Sequence, residues 1–507
     1  MHVALVILDG WGRGSGSVMG AHRDAMAAAE TPVFDGACEE GAVGSLRTDG
    51  SHVGLPTGQF GNSEVGHLNI GAGRVVPQAS SRITEVIDRG DIAARQAIAD
   101  AFAHASSSER RLHLCGLVGD GGVHARQSHL HGLIAAAADQ DIDVLTHAFT
   151  DGRDTDPRSG VEHLDQFAGV AADAGTGHIA TVVGRYYAMD RDENWERTAA
   201  CYEALIDREA SHIAPDGPTA CRRSYRRGET DEFLEPTLIE GRPGIQAGDA
   251  VLMCNFRADR MRQLTRMLGG IDPEWSAPTA PPPIHLTTMT AYDERFELPV
   301  AFEPHHPADV LGAVVSSAGM SQVRVAETEK YAHVTYFLNG GREPPYDGER
   351  RLIAPSPDVP TYDLRPAMAA RAVTGRVSQA LEAADPDLGV INYANPDMVG
   401  HTGDFEATVE AIETVDEQLG RLLPMVRAQG ADVLLTADHG NADDMGSATR
   451  PLTAHTINPV PFVHLPPDGP SGYGIRDGGV LADIAPTVLA LMNLEAPEAM
   501  TGRSLLD

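Results

Sequence analysis

The feature that most constrains this chain is a series of short, largely apolar runs that each end abruptly in a polar, glycine-containing motif. VALVIL (3–8) runs into Asp9, LGVINYAN (388–395) into Asp397, and DVLLTA (432–437) into Asp438 and His439. Runs without polar alternation suit strands buried on both faces, as in a parallel sheet covered by helices. Between the last two lies a helical pattern that places Val409, Ile412, Val415, Leu419, Leu422 and Val426 on one face. Strands alternating with helices predict an α/β domain with a largely parallel sheet, whose functional groups gather beyond the carboxyl ends of the strands.

The middle of the chain repeats this plan with different endings. RLHLCGLVG leads to GGVHA, DVLTHAF to TDGRDT, HIATVVG to RYYAMDRD, and DAVLMCN to FRADR. These segments predict a second α/β domain over 77–304, inserted into a discontinuous first domain of 1–76 and 305–507. RVVPQ (74–78) and PVAFEPHHP (299–307) are the expected linkers and hinges. The cluster APTAPPP (277–283) reads as a surface loop feeding a strand, IHLTTMT.

A chain of 507 residues with 42% hydrophobic content can bury more than one core. It has no apolar run long enough to cross a bilayer, and MHVALVILDG lacks the features of a signal peptide. Five scattered cysteines without a CxxC pattern favour small buried side chains in a reducing cytoplasm over disulfides or a zinc knuckle. The formal charge of −33 makes nucleic acid and anionic membranes implausible partners and predicts a salt-rich cytoplasm; the chain is expected to be a monomer. Lys330 is the only lysine; every other basic side chain except histidine is arginine. A composition that sheds lysine everywhere else points to a chemical reason for this one.

Asp9, Asp397, His401, Asp438, His439 and His455 form a set of carboxylate and imidazole ligands suited to divalent transition metals. Asp397 and His401 are four apart and align if a helical turn begins there, whereas the adjacent Asp438 and His439 are expected to diverge and serve two ions. Any one of these motifs alone is more often a capped turn; six at strand ends favour metals. Ser63, in GQFGNSEVGHLNIGAGR, reads either as a helix N-cap or as a nucleophile at a helix start. No GxSxG elbow is present, which disfavours a Ser-His-Asp hydrolase. His124, Arg153, Asp154, Arg185, Arg191, Arg257 and Arg260 follow the strands of the second set and suit a small anion bearing carboxylate and phosphate. Arg257 and Arg260 share a side if FRADR starts a helix.

VILDGWG, GNSEVGHLNIGAGR, GGVHA, TDGRDT, GRYYAMDRD, NFRADR, EKYAHVTYF, NPDMVGHTG, ADHGN and TAHT occur in this order. With the closing DIAPTVLALMNLEAPEAMTGRSLL they resemble, over nearly the whole chain, the bisphosphoglycerate-independent phosphoglycerate mutases of the alkaline-phosphatase superfamily. The resemblance implies a discontinuous metal domain of alkaline-phosphatase type with an inserted phosphotransferase domain. It implies one metal on Asp397, His401 and His455, another on Asp9, Ser63, Asp438 and His439, and Mn²⁺ as the usual ion, with Mg²⁺, Co²⁺ or Zn²⁺ as alternatives. Arg257 and Arg260 would hold phosphate, and His124, Arg153, Asp154, Arg185 and Arg191 the glycerate. Lys330 would neutralise the transferring phosphoryl group, and Asp154 is the expected proton handler while the domains close over the substrate.

The expected activity is interconversion of 3- and 2-phosphoglycerate through phosphoserine, without bisphosphoglycerate. A metal-dependent phosphatase or phosphopentomutase of the same superfamily is the alternative, and an inactive metal-stabilised protein is the alternative of another class. Two departures stand out. RGSGSVMGAHRDAMAAAE matches the family pattern poorly, and Asp156 stands where relatives often carry proline.

Overall fold

The computed structural model describes residues 1–106, 110–271, 280–383, 385–470 and 472–507. It contains two compact units, Met1–Gln78 with His306–Asp507, and Ala79–His305.

The first unit is built on an eight-stranded sheet in the order Glu349–Ala354, Gln322–Glu327, Leu388–Tyr393, Val3–Leu8, Asp432–Thr436, Val460–Leu465, Ala42–Arg47, Gly479–Val480. Its centre is parallel: Val3–Leu8 pairs with Leu388–Tyr393 on one side and Asp432–Thr436 on the other. All six residues of Val3–Leu8 are buried, because this strand lies in the middle of the sheet with apolar side chains packed on both faces. The predicted amphipathic helix spans Phe405–Arg427 and buries Ile412, Val415, Leu419, Leu422 and Val426. In the segment of poor family match, Asp24 accepts from Ala27 N and Gly16 N, capping a short helix and folding the preceding loop back on it.

The second unit has its own eight-stranded sheet in the order Val300–Phe302, His285–Thr290, Ala250–Met253, Leu112–Leu117, Val144–Thr150, His178–Gly184, Thr237–Ile239, His212–Ala214. The pairings from Val300–Phe302 through His178–Gly184 are all parallel. The stretch 299–307, expected to be linker throughout, contributes the edge strand Val300–Phe302, because Ala301 and Phe302 have an apolar core to enter. Of APTAPPP, residues 277–279 lie outside the described residues; 280–283 precede the strand His285–Thr290 without regular structure. Asp156 accepts from Arg158 N, an Asx turn that leads toward the helix Gly160–Ala174.

Candidate active site

Three neighbouring parallel strands of the first unit deliver the acidic residues. Asp9 directly follows Val3–Leu8, Asp438 comes two residues after Asp432–Thr436, and Asp397 lies in the turn of helix Asn395–Gly400. Asp397 N donates to Asp9 O at 3.1 Å, and the tight approach requires glycine at position 10. There φ is +77° and a Cβ would stand 2.7 Å from the Asp397 Cα.

Ser63 opens the helix Ser63–Ala72, but Asn62 is its N-cap: the Asn62 side chain accepts from Val65 N at 2.9 Å. Ser63 is therefore not the cap, and its Oγ is free for other work. That Oγ lies 2.9 Å from His439 Nε2 and 3.2 Å from Asp9 Oδ1. Gly66, one turn on, lets the helix press against the second acidic strand end, where a Cβ would meet Asp438 Cβ and O at 2.8 Å.

Lys330 stands at the centre of this group, only 2% exposed. Its Nζ donates to Asp9 Oδ1 and Asp397 Oδ2 at 2.7 Å and to Ser63 Oγ at 2.8 Å, so all three ammonium hydrogens are used. Burial alone would lower its pKa, but Asp397, Asp9 and Asp438 outweigh burial and hold it well above the usual lysine range. Asp9, buried and facing Asp438, is pushed up to about 7. Asp397 is held well below the usual carboxylate range: burial opposes this, and Lys330 prevails.

The histidines show what the cluster is built to hold. His401 Nε2 and His455 Nε2 face each other at 3.0 Å, with Asp397 Oδ1 at 3.2 and 3.3 Å. Each ring places Nδ1 against a backbone carbonyl, His401 on Thr453 O at 2.7 Å and His455 on Gly61 O at 2.9 Å. A carbonyl only accepts, so each Nδ1 carries a hydrogen and each ring turns its Nε2 inward, the nitrogen that would offer a lone pair to a metal. Two lone pairs and a carboxylate oxygen converging at this range fit a divalent cation.

Asp438 and His439 do not diverge as their adjacency suggested; His439 Nε2 lies 3.6 Å from Asp438 Oδ2 and 3.5 Å from Asp9 Oδ1. Because the strand has ended, backbone twist is free to bring both side chains to the same side. His439 thus belongs to two overlapping ligand sets, Asp397–His439–His455 and Asp9–Asp438–His439. A third set, His212–Glu229–Glu235, lies elsewhere, and there Glu229 is already engaged by Arg227 at 2.7 and 2.9 Å.

The second unit brings its predicted residues into two adjoining groups. Arg185 is buried and bonds Asp151 Oδ1 at 2.6 Å and Asp154 Oδ2 at 2.5 Å. Asp151 also accepts from the backbone N of Arg153 and Asp154, which fixes the turn that carries both. Arg153, Arg185 and Arg260 line a cavity of about 200 Å³ with Tyr186, Glu232 and Phe233. The other group surrounds Asp259, which lies 2.8 Å from Arg191, 3.3 Å from Arg257 and 3.7 Å from His124 Nδ1. His124 Nε2 lies 4.0 Å from Asp154, joining the groups. Burial and then Arg185 depress His124 to about 4, leaving a neutral imidazole at neutral pH. Arg257 and Arg260 do not share a helix face: the helix begins at Arg262, because Phe256 N and Arg257 N are drawn to His124 O.

Sequence reasoning missed Asp151 and Asp259, and also Asn392, which donates to Asp9 Oδ2 at 2.8 Å, Asn441, which donates to Asp397 Oδ1 at 3.0 Å, and His67, whose Nδ1 lies 3.1 Å from Asp438 Oδ2. Asp259 reads as charge balance between two arginines, and an asparagine inside an apolar run carries no signal of what it faces.

The comparisons with known proteins agree with this chemistry. The profile of the metalloenzyme superfamily matches residues 1–496. The chain is 58% identical to the 2,3-bisphosphoglycerate-independent phosphoglycerate mutase of Natronomonas pharaonis, with 100% of both chains covered. It is 48% identical to the enzyme of that name from Synechococcus elongatus, covering 100% of this chain and 95% of the other. Among solved structures, a Leishmania mexicana phosphoglycerate mutase studied at low cobalt concentration matches with a TM-score of 0.71 and 31% identity, covering 100% of this chain and 97% of that one. With its metal-type ligand clusters and its full-length relatives at this identity, the chain belongs to the metal-dependent, 2,3-bisphosphoglycerate-independent phosphoglycerate mutase family.

Proposed function

We propose that this chain interconverts 3-phosphoglycerate and 2-phosphoglycerate by two phosphoryl transfers through Ser63, without bisphosphoglycerate. The observation that carries the reading is Ser63 Oγ, held at 2.8 Å from a buried ammonium and 2.9 Å from His439 Nε2. Asp397, His401 and His455 would hold one divalent ion, and Asp9, Ser63, Asp438 and His439 the other; the mixed carboxylate and imidazole donors favour Mn²⁺ over Mg²⁺. Bound there, such ions lower the pKa of the serine hydroxyl and neutralise phosphoryl oxygens.

In the first transfer the Ser63 hydroxyl, its proton given up to solvent, bonds through Oγ to phosphorus and the bond from phosphorus to the glycerate oxygen breaks. In the second, the other glycerate oxygen bonds to phosphorus and the Ser63 Oγ–P bond breaks. Lys330 neutralises charge on the phosphoryl oxygens as they pass. Asp154 supplies a proton to the departing glycerate oxygen and removes one from the hydroxyl that attacks next. Arg153, Arg185, Arg191 and neutral His124 hold the glycerate while it turns, and Arg257 and Arg260 hold the phosphate. Retaining the glycerate is what separates a mutase from a phosphatase. Free cysteines, five of five, support a reducing cytoplasm as the setting of what we take to be a monomer.

The test is turnover of 3-phosphoglycerate with Mn²⁺ and no bisphosphoglycerate. Wild type should form 2-phosphoglycerate and Ser63→Ala should not. Release of free phosphate in place of 2-phosphoglycerate would identify a phosphatase, and full activity in the alanine variant would rule out the serine mechanism.

A further inference from the structure

Behind the nucleophile lies a fully buried chain of hydrogen bonds that none of the steps above uses. Asn392, in the central strand Leu388–Tyr393, donates from Nδ2 to Asp9 Oδ2 at 2.8 Å. The same nitrogen lies 3.1 Å from His67 Nε2. On its other side, His67 Nδ1 lies 2.9 Å from Ser63 O and 3.1 Å from Asp438 Oδ2. Asn392, His67, Asp9 and Asp438 are all 0% exposed, so their polar atoms are closed to bulk water and depend on one another.

With Asp9 and Asp438 as carboxylates, the form that binds a metal, and one hydrogen on the His67 ring, hydrogen counting leaves one consistent arrangement. An amide nitrogen has two hydrogens and no lone pair to offer, so Asn392 can donate one to Asp9 and one to His67 Nε2. His67 Nε2 must then be the acceptor, and Nδ1 must carry the hydrogen toward Ser63 O and Asp438. The reversed amide would turn a carbonyl oxygen onto the Asp9 carboxylate, and the reversed tautomer would turn a lone pair onto Ser63 O and Asp438. Either reversal replaces attraction by repulsion in a site closed to bulk water.

We propose that His67 and Asn392 are positioning residues, coupled through this one bond. Together they fix the backbone of Ser63 relative to two carboxylates, Asp9 and Asp438, that the proposed function assigns to the same metal. The inference rests on that assignment of ligands, and it concerns only what the chain does to orient them. Partners of this kind commonly change metal affinity 10–100-fold when removed.

Four variants test it, read first by Mn²⁺ affinity of the metal-stripped protein and by its melting temperature, then by kcat and KM. His67→Asn puts an amide nitrogen near the place of Nδ1, whereas His67→Gln puts it near Nε2. We expect the glutamine variant, which loses the donor to Ser63 O, to weaken Mn²⁺ binding at least tenfold, and the asparagine variant, which keeps that donor but loses the acceptor for Asn392, to weaken it by clearly less. Asn392→Leu, close in volume but without a donor, should weaken Mn²⁺ similarly and lower kcat more than it raises KM. In the double variant His67→Gln/Asn392→Leu the two effects should fall well short of multiplying. Equal affinity in His67→Asn and His67→Gln, or full multiplication in the double variant, would overturn the proposal. Should His67→Gln fail to fold without metal, Asn392→Leu decides alone: unchanged Mn²⁺ affinity there overturns it. Because the affinities are measured without substrate, a wild type that binds Mn²⁺ through this network yet makes no 2-phosphoglycerate would refute the proposed function and leave the network standing.

Discussion

Replacing Lys330 by methionine keeps the length of the side chain and removes its charge, and the structure predicts two effects of opposite sign. Lys330 Nζ makes hydrogen bonds of 2.7, 2.7 and 2.8 Å to two carboxylates and Ser63 Oγ, all of them buried. Losing one partner of such a buried ionic group costs about 3–5 kcal/mol in the metal-free protein, which should melt lower. The same loss removes a positive charge from beside the proposed metal ligands, so Mn²⁺ should bind at least as tightly as in wild type. Turnover should nevertheless fall on the order of 10²–10³-fold, the range seen when one donor to a developing transition-state charge is removed. That range corresponds to about 2.7–4 kcal/mol of barrier. The assay is formation of 2-phosphoglycerate at saturating Mn²⁺, beside titration of the metal-free protein with Mn²⁺. A kcat within threefold of wild type would refute the role assigned to the ammonium. Weaker Mn²⁺ binding would show instead that Lys330 builds the metal site and does not act on the phosphoryl group. Lys330→Arg should also lose well over tenfold, because a planar guanidinium misfits a pocket that offers three converging acceptors to a point charge.

Three further outcomes follow from particular contacts. Glu327 is 0% exposed, and burial pushes its carboxyl up to about 7. In the unfolded chain it ionises near its ordinary value, so folding stability falls as pH rises between the two values and stays lower above them. Glu327→Gln should remove that loss and stabilise the protein at pH 8 by as much as about 3 kcal/mol in denaturant unfolding, with little gain at pH 4; equal gains at both pH values would contradict the account. Gly66→Ala drives a Cβ to 2.8 Å from Asp438 and should destabilise by about 1–3 kcal/mol with a disproportionate loss of turnover; a variant as stable and active as wild type would mean that the helix can retreat. The formal charge of −33 predicts a melting temperature that climbs steeply between 0.1 and 2 M KCl, as the screening length drops from about 10 Å toward 3 Å and below; a flat series would refute the dependence on screening.

Much of this site was legible before any coordinate, for a physical reason. Ligands to a metal must be acidic or imidazole side chains, and a parallel sheet presents them where buried runs end. VALVIL-Asp9 and DVLLTA-Asp438 therefore announce both the strand and its cargo. The solitary Lys330 was legible through composition alone, since nothing else in the chain competes with it. The helix after Ser63 and the long amphipathic helix Phe405–Arg427 followed from glycine placement and periodicity.

What the tertiary structure alone decided is how those groups meet. Local pattern could not show that Asn62, and not Ser63, caps the helix, because either residue type accepts a backbone hydrogen equally well. It could not show that Asp438 and His439 converge, because side-chain direction after a strand depends on what the backbone does once its ladder ends. Nor could it place the helix start at Arg262 when Arg257 N is held by His124 O, 133 positions away by number but adjacent in the fold. Asn392 is the plainest case. In sequence it is one polar residue in an apolar strand, and only the pairing Ile7↔Asn392 sets it beside the strand that leads to Asp9. Sequence determined which chemistry the chain carries, since residue type fixes charge and ligand character. Long-range register decided which atoms face one another, since hydrogen bonds and metal sites depend on a few tenths of an ångström that no local preference specifies.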